Sequence, residues 1–294
     1  MKKDDIIFLN KVKVPKMWGN EDWVISAHEN KVCSIKNGPF AGKTLQWLWE
    51  NQRELFGNID CESFPMLTKV ITAEDDLSIQ VHPDDVYAKQ HEGSLGKTEC
   101  WYIIDCVKNA EITLGHTACS KDELVDKIRN GKWLQLLYKV KIKPGDFYHI
   151  PAGTVHGIGK GTVILETQQP SDVTYRLYDY DRLENGLPRQ LHLEDSINVI
   201  NVPHRQTKRN GKITEYDKAK CELLVKDEYF TVFKMDIAGQ HIIHNDKPFL
   251  NVSVVKGEGY VDNIHISANS HFIIPKTRKE VEVNGNLELI ISHV

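Results

Sequence analysis

The chain has 294 residues, 40% of them hydrophobic, and carries a formal net charge of −4 at pH 7. This length predicts one or two domains, and the apolar fraction suffices for a packed core, which excludes a disordered chain. Because the charge has no basic excess and no apolar run approaches the roughly 20 residues of a membrane span, we expect neither nucleic acid nor a membrane as a partner.

The first predicted elements precede residue 60. The initial ten residues are too short and too acidic for a signal peptide, which predicts a cytoplasmic protein. Thr44 is a suitable N-cap for a helix because apolar residues follow it at helical spacing. Gly57 is suited to end that helix.

Residues 77–85 alternate between apolar and polar side chains, and the three polar positions are Ser78, Gln80 and His82. A strand directs successive side chains to opposite faces, so these three share one face. Pro83 removes a donor from the ladder and ends the strand. The polar face lies either in water or inside the protein, where a metal or a polar ligand must satisfy it. The alternation alone leaves both possibilities open.

Two later segments supply side chains that could join this face. Glu99 opens a predicted apolar strand, and His156 follows a strand, a turn, a second strand and Pro-Ala-Gly-Thr. With Gln80 and His82 they give two imidazoles, a carboxylate and an amide oxygen, a set that suits zinc and other divalent first-row ions. Without a thiolate, a catalytic site is favoured over a closed structural zinc site. The alternative is a pair of core histidines with satisfied hydrogen bonds.

The cysteines show no C-x-x-C pair and no framework spacing. We therefore expect reduced thiols that bind no zinc, as in other cytoplasmic proteins. These residues are Cys33, Cys61, Cys100, Cys106, Cys119 and Cys221.

The last third of the chain differs from the first two. A polar linker rich in Lys, Arg and Asn occupies residues 202–211, and short strand-like pieces follow it. Residues 266–275 resemble residues 142–151, but Glu280 stands at the spacing where His156 follows the earlier block. We predict a mainly β protein of two jelly-roll barrels with a few short helices. The domains would be a metal-binding barrel at 1–205 and a smaller metal-free one at 206–294.

Four motifs in a fixed order carry a family resemblance: residues 77–85, 96–99, 150–156 and 175–182. Together they resemble type I phosphomannose isomerase in its short bacterial form, and the similarity runs through nearly the whole chain. The resemblance implies cupin-type barrels and one zinc ion bound by Gln80, His82, Glu99 and His156. It also implies interconversion of D-mannose 6-phosphate and D-fructose 6-phosphate by proton transfer between C2 and C1 through a cis-enediol(ate).

Two features depart from the long eukaryotic form of this family. Thr98 stands where that form has a proline, and residues 120–137 are too few for its large helical insertion. Both departures fit the short bacterial branch.

The resemblance further implies roles for single residues. Arg176 would be the active-site arginine and Glu166 a candidate base, for which the alternative is a salt bridge to Arg176. Lys97 lies two residues from Glu99 and could polarise a sugar oxygen or relay a proton. Three positions match those that face the substrate phosphate in the family: Lys69, Ser78 and Arg182.

Two other functions fit the same residues. A cupin with two histidines and a carboxylate could hold iron and activate oxygen. A non-catalytic cupin could bind a sugar phosphate without the chemistry. The presence of Lys97, Glu166 and Arg176 beside four candidate ligands favours the isomerase. We expect a monomer or homodimer whose partners are sugar phosphates.

Overall fold

The computed structural model describes residues 6–207 and 211–294. The first five residues and part of the predicted linker at 202–211 lie outside the described residues. The described chain is mainly β with a few short helices, which confirms the predicted fold class at that level. No helix among the described residues is long and apolar enough to cross a membrane.

The strands in chain order are β1 (Ile7–Asn10), β2 (Val12–Lys16), β3 (Gly19–Ile25), β4 (Ser34–Ile35), β5 (Leu67–Ala73), β6 (Ile79–Val81), β7 (Glu99–Cys106), β8 (Glu111–His116), β9 (Leu137–Lys141), β10 (Phe147–Ile150), β11 (His156–Ile158), β12 (Thr162–Gln168), β13 (Tyr175–Tyr178), β14 (Leu183–Glu184), β15 (Leu187–Pro188), β16 (Lys212–Glu215), β17 (Ala219–Lys226), β18 (Thr231–His244), β19 (Phe249–Val261), β20 (Ile264–Ser267), β21 (His271–Pro275) and β22 (Glu280–His293). The helices are α1 (Leu45–Asn51), α2 (Asp85–His91), α3 (Lys121–Arg129), α4 (Trp133–Leu136) and α5 (Leu193–Val199), and a 3-10 helix spans Arg53–Phe56.

The chain forms two compact units that are discontinuous in sequence. Within the described residues, the first unit comprises 6–12, 23–68 and 211–294, and the second comprises 13–22 and 69–207. The division into domains at 1–205 and 206–294 stays a prediction.

The first unit is built on one antiparallel sheet with the order β16-β17-β18-β22-β19-β21-β1-β4, and β20 pairs with β19. Its core contains aliphatic side chains from six of these strands, among them Ile237, Val252, Ile274 and Leu289. Each alternates along its strand with residues of the opposite face, as the pleat requires. The predicted N-cap is confirmed, because the Thr44 hydroxyl accepts a hydrogen bond from the Trp47 amide.

Helix α1 ends earlier than the sequence suggested. It stops at Asn51, where Gln52 leaves helical geometry, and Gly57 instead caps the 3-10 helix in the left-handed region. Glycine adopts that region without a steric penalty, which explains its position.

An aromatic cluster in the first unit gives a stability prediction. Phe249 is fully buried, with its ring centroid 5.5 Å from that of Phe56 and 5.2 Å from that of Phe64. Phe249→Ala should lower the free energy of unfolding by about 3–5 kcal/mol, because it removes buried area and leaves a cavity. Urea denaturation measures this loss. Tyr260→Ala, on the same strand but half exposed, is the control and should change it by less than about 1 kcal/mol.

The second unit contains two sheets and a short β14–β15 hairpin. One end each of β2, β3 and β5 belongs to the first unit. One sheet has the order β10-β7-β12-β5-β3-β2 and the other β13-β6-β11-β8-β9. A common core joins them, with Ile103 and Ile164 from the first sheet packed against Ile112 and Ile158 from the second. The strand orders among the described residues are open, so the two closed barrels stay a prediction.

Candidate active site

A row of polar residues crosses the five-stranded sheet of the second unit. Gln80 on β6 stands opposite His156 on β11 and opposite Arg176 on β13. Directly opposed residues of antiparallel strands point to the same face, so these three share one face, and His82 follows two residues after Gln80. Ser78 and His82 are buried and Gln80 is half-buried, so this face does not lie in water. The regular strand is shorter than predicted and covers Ile79–Val81.

His82, Glu99 and His156 converge at one point. The His82 Nε2 atom lies 3.1 Å from His156 Nε2 and 3.4 Å from Glu99 Oε2. His156 Nε2 lies 3.5 Å from Glu99 Oε1. All three side chains are buried, and among the described residues they are the one group of His, Cys, Asp or Glu with ligand geometry. No cysteine takes part, and all six are free thiols.

Hydrogen bonds fix which nitrogen of each imidazole faces this point. His82 Nδ1 lies 2.8 Å from the Val173 carbonyl, and His156 Nδ1 lies 2.8 Å from the Thr154 carbonyl. A carbonyl only accepts, so each Nδ1 carries the proton and each Nε2 presents a lone pair. Burial keeps both rings neutral, since it lowers the pKa of His82 to about 3 and lowers that of His156 as well. Backbone partners of this kind orient metal-binding histidines in proteins.

The three residues fit a divalent first-row ion. Two Nε2 lone pairs 3.1 Å apart repel each other unless a cation lies between them. Zinc bonds of about 2.0–2.1 Å in tetrahedral geometry separate neighbouring ligand atoms by about 3.3 Å, close to the separations in this cluster. The site therefore matches a metal centre with two nitrogen ligands and one carboxylate.

Lys97 adds a positive charge to this cluster. Its Nζ lies 2.8 Å from Glu99 Oε2 and 3.2 Å from His82 Nε2. Burial alone would lower the pKa of Lys97, but the adjacent Glu99 carboxylate raises it, so the side chain is an ammonium. Burial likewise opposes ionisation of Glu99, yet Lys97 and the two imidazoles hold its pKa well below the usual range.

Glu166 lies on β12 directly opposite Trp101 on β7. Its Oε2 accepts a hydrogen bond of 3.1 Å from the Trp101 indole, and its Oε1 lies 3.2 Å from Lys69 Nζ. The Trp101 ring also meets the His156 ring edge-on at 5.5 Å, which connects Glu166 to the cluster. Burial and the Glu99 carboxylate raise the pKa of Glu166. Its ion-pair partner is Lys69, so the alternative salt bridge to Arg176 is not formed.

Comparisons with known proteins agree with this arrangement. Residues 15–118 match the family model described as phosphomannose isomerase type I, catalytic domain, and residues 220–294 match the one described as mannose-6-phosphate isomerase, cupin domain. The mannose-6-phosphate isomerase ManA of Bacillus subtilis is 45% identical over 96% of this chain and 91% of its own length. The chain belongs to the type I phosphomannose isomerase family.

Two further phosphomannose isomerases extend the comparison. The mannose-6-phosphate isomerase of Streptococcus mutans is 44% identical over 95% of this chain and 90% of its own length. The crystal structure of the mannose 6-phosphate isomerase from Bacillus subtilis superimposes with a TM-score of 0.96 and 44% identity, covering 98% of this chain and 99% of that one. The resemblance drawn from the sequence motifs is thus confirmed at the level of the family.

Two of the three residues predicted to face the substrate phosphate, Lys69 and Arg182, contact different partners in this structure. Lys69 contacts Glu166, whereas Arg182 donates to the Asp179 side chain and to the Asp76 carbonyl. Arg176 donates from Nη1 to the Gln190 carbonyl at 2.8 Å, and its Nε is buried without a hydrogen-bond partner among the described residues.

Two features near the arginines and Glu166 escaped the sequence analysis. Arg189 donates to Asp179 through Nε at 2.7 Å and Nη2 at 3.0 Å, so one buried carboxylate holds two guanidinium groups. Burial opposes ionisation of Asp179, but Arg189 and Arg182 lower its pKa. Trp101, the second feature, has a sequence signal, because it lies two residues after Glu99 and therefore on the same face of its strand.

Proposed function

We propose that this chain interconverts D-mannose 6-phosphate and D-fructose 6-phosphate with one resident Zn²⁺ ion. The observation that carries the proposal is the convergence of two imidazole lone pairs and one carboxylate, buried next to Lys97. This cluster lies in a chain of the type I phosphomannose isomerase family. A fold match alone would not support a reaction, because one fold hosts many chemistries.

Four side chains would hold the ion: Gln80, His82, Glu99 and His156. Gln80 is included because it stands opposite His156 and shares the face of His82. A divalent ion there would act as a Lewis acid toward the negative charge that develops on the sugar oxygens during proton transfer. The donor set contains no thiolate, which favours a site with room for substrate.

Glu166 would move the proton. Its carboxylate would take the proton from C2 of the aldose and return it to C1, through a cis-enediol(ate). The raised pKa of Glu166 suits a general base that works near neutral pH. Trp101 and Lys69 would hold the two carboxylate oxygens in place. Lys97 would donate to a sugar oxygen and relay the hydroxyl proton between O2 and O1.

Positive groups would bind the remaining charges of the substrate. Arg176 shares its face with Gln80 and His156, and its guanidinium would stabilise the enediolate. We keep Lys69, Ser78 and Arg182 as the proposed phosphate contacts. Arg182 would have to exchange the Asp76 carbonyl for the phosphate, since its donors are engaged.

The wider organisation follows the same proposal. The chain would consist of two cupin-type jelly-roll barrels, a metal-binding one at 1–205 and a metal-free one at 206–294, and would act in the cytoplasm as a monomer or homodimer. In support, all members of the His/Glu/His cluster precede residue 205.

A coupled assay tests the proposed function. We expect the purified protein to turn over mannose 6-phosphate, to lose more than about 90% of that activity in a chelator, and to recover it when Zn²⁺ is restored. Adding the chelator to the coupling enzymes alone is the control. If metal-replete protein shows no turnover and His82→Ala behaves as the wild type, the isomerase proposal is wrong.

Metal replacement in the same purified protein distinguishes the isomerase from the oxygenase alternative. Iron-free protein reconstituted with Zn²⁺ should retain isomerase activity and consume no oxygen, because zinc has no redox chemistry. Oxygen consumption that depends on iron would favour the oxygenase.

A further inference from the structure

Residues 96–98 lead into β7 and carry Lys97, yet they belong to no strand among the described elements. Two of their amides are held by side chains. The Gly96 N–H donates to Asp85 Oδ1 at 2.7 Å, and the Thr98 N–H donates to Gln169 Oε1 at 2.7 Å. The third amide, that of Lys97, donates to the Pro83 carbonyl at 3.0 Å.

The two accepting side chains are themselves joined. Gln169 Nε2 donates to Asp85 Oδ1 at 3.0 Å, so the carboxylate oxygen receives both this bond and the one from Gly96. The Gln169 main chain also donates to the Thr98 carbonyl at 3.1 Å. We call the connected pair Asp85 and Gln169 the relay. It replaces the ladder of hydrogen bonds that a neighbouring strand would provide.

The backbone at Asp84 and Asp85 packs closely against Gly96. A Cβ atom on Gly96 would lie 2.5 Å from the Asp84 carbonyl carbon and 2.5 Å from the Asp85 nitrogen, which only glycine avoids. Thr98 and Gln169 are buried, so an amide without its acceptor could not turn to water. The side chains of the relay therefore decide where residues 96–98 lie.

We propose that Asp85 and Gln169 are positioning residues of the metal centre. They hold the main chain at 96–98 and thereby set the Lys97 ammonium and the Glu99 carboxylate against His82. This role rests on the proposed function only in that the cluster binds a divalent ion. Groups that orient metal ligands typically change metal affinity or activity about 10–100-fold when they are removed.

The direction of each hydrogen bond gives a sharp test. Gln169 must present its oxygen to the Thr98 N–H and its NH₂ group to Asp85, because the carboxylate only accepts. Gln169→Glu keeps the size of the side chain but sets two carboxylates against each other. Asp85→Asn is the conservative variant, because the asparagine oxygen can take the place of Oδ1 and accept from both Gly96 and Gln169. Asp85→Asn should therefore keep what Gln169→Glu loses.

The experiment measures Zn²⁺ affinity by competition with a chromophoric chelator, and the visible spectrum of the Co²⁺-loaded protein. We expect Gln169→Glu, and Asp85→Ala, which removes the shared acceptor, each to lower affinity at least about tenfold and to alter the Co²⁺ bands, and Asp85→Asn to keep both close to those of the wild type. Asp84→Ala is the matched control. It makes the same change of charge as Asp85→Ala one residue away and removes the N-cap bond from the Tyr87 amide to Asp84, 2.8 Å long, while the acceptors of the amides at 96–98 remain.

Three results would overturn the relay. Gln169→Glu could bind Zn²⁺ with wild-type affinity and spectrum, Asp84→Ala could lose as much affinity as Asp85→Ala, or Asp85→Asn could lose as much as Asp85→Ala. If Gln169→Glu does not fold, the comparison of Asp85→Ala with Asp85→Asn still decides, since the proposal requires only the alanine variant to lose metal affinity. A wild-type protein that binds Zn²⁺ but does not isomerise sugar phosphates would contradict the proposed function and leave the relay supported.

Discussion

Replacing Glu99 with glutamine is expected to lower both Zn²⁺ affinity and isomerase kcat by more than about 100-fold. Glu99 is the one anionic member of the cluster, and it faces both Nε2 atoms at 3.4 and 3.5 Å. Loss of a direct ligand should exceed the effect of removing an orienting group, which is about 10–100-fold. Chelator competition and the coupled assay measure the two quantities. Wild-type metal affinity in Glu99→Gln would contradict the assignment.

The same variant should destabilise the protein without metal. Lys97 and Glu99 are both buried, so the change leaves an ammonium without its carboxylate, a loss of about 3–5 kcal/mol in the free energy of unfolding. Urea denaturation in chelator measures it. Glu194→Gln is the control, because its ion pair with Arg129 is exposed and should contribute less than about 1 kcal/mol.

The difference in the free energy of unfolding between wild type and Glu99→Gln should increase with pH. The pKa of Glu99 is held well below its ordinary value of 4.5, so its stabilisation is fully present above that pH. It is lost as the pH falls from 4.5 toward the lower folded pKa, because in this range the unfolded state binds a proton that the folded state does not. The two denaturation curves should therefore converge in acid and separate above pH 4.5.

Local sequence patterns indicated that His82, Glu99 and His156 would meet, because the geometry of a strand is periodic. The alternation at residues 77–85 set Gln80 and His82 on one face, and β6 keeps that register opposite His156. The same periodicity could have located Trp101, two residues after Glu99. The alternation did not show whether the polar face is buried. Its burial follows from the packing of the six-stranded sheet against the five-stranded sheet.

Contacts between residues far apart in the sequence could not be predicted from such local patterns. Glu166 had a plausible partner in Arg176, ten residues away, but the structure pairs it with Lys69, 97 residues earlier. The relay joins Asp85 to Gln169 across 84 residues. Such pairs depend on which strands are neighbours and on their register, and hydrophobic alternation specifies neither across long connections.

Glu166→Gln is expected to reduce kcat by about 10²–10⁴-fold, the usual contribution of a general base, while KM and Zn²⁺ affinity change little. The amide oxygen can still accept from the Trp101 indole, but the NH₂ group then faces Lys69 in place of the second carboxylate oxygen, so circular dichroism and the Zn²⁺ affinity must show that the variant is folded. In D₂O the wild type should incorporate solvent deuterium at carbon, and the variant should not. Trp101→Phe is the control, because it removes one hydrogen bond but keeps the carboxylate and should lose far less activity.

The pH dependence of isomerase activity shows whether Glu166 acts as the base or only pairs with Lys69. Burial and the Glu99 carboxylate raise the pKa of Glu166 above 4.5, and a base acts only when it is deprotonated. Wild-type activity should therefore fall as the pH drops through this raised pKa, at a higher pH than an ordinary carboxylate would allow. The residual activity of Glu166→Gln should lack that acid limb. An unchanged acid limb, or a kcat close to that of the wild type, would assign the proton transfer to another group.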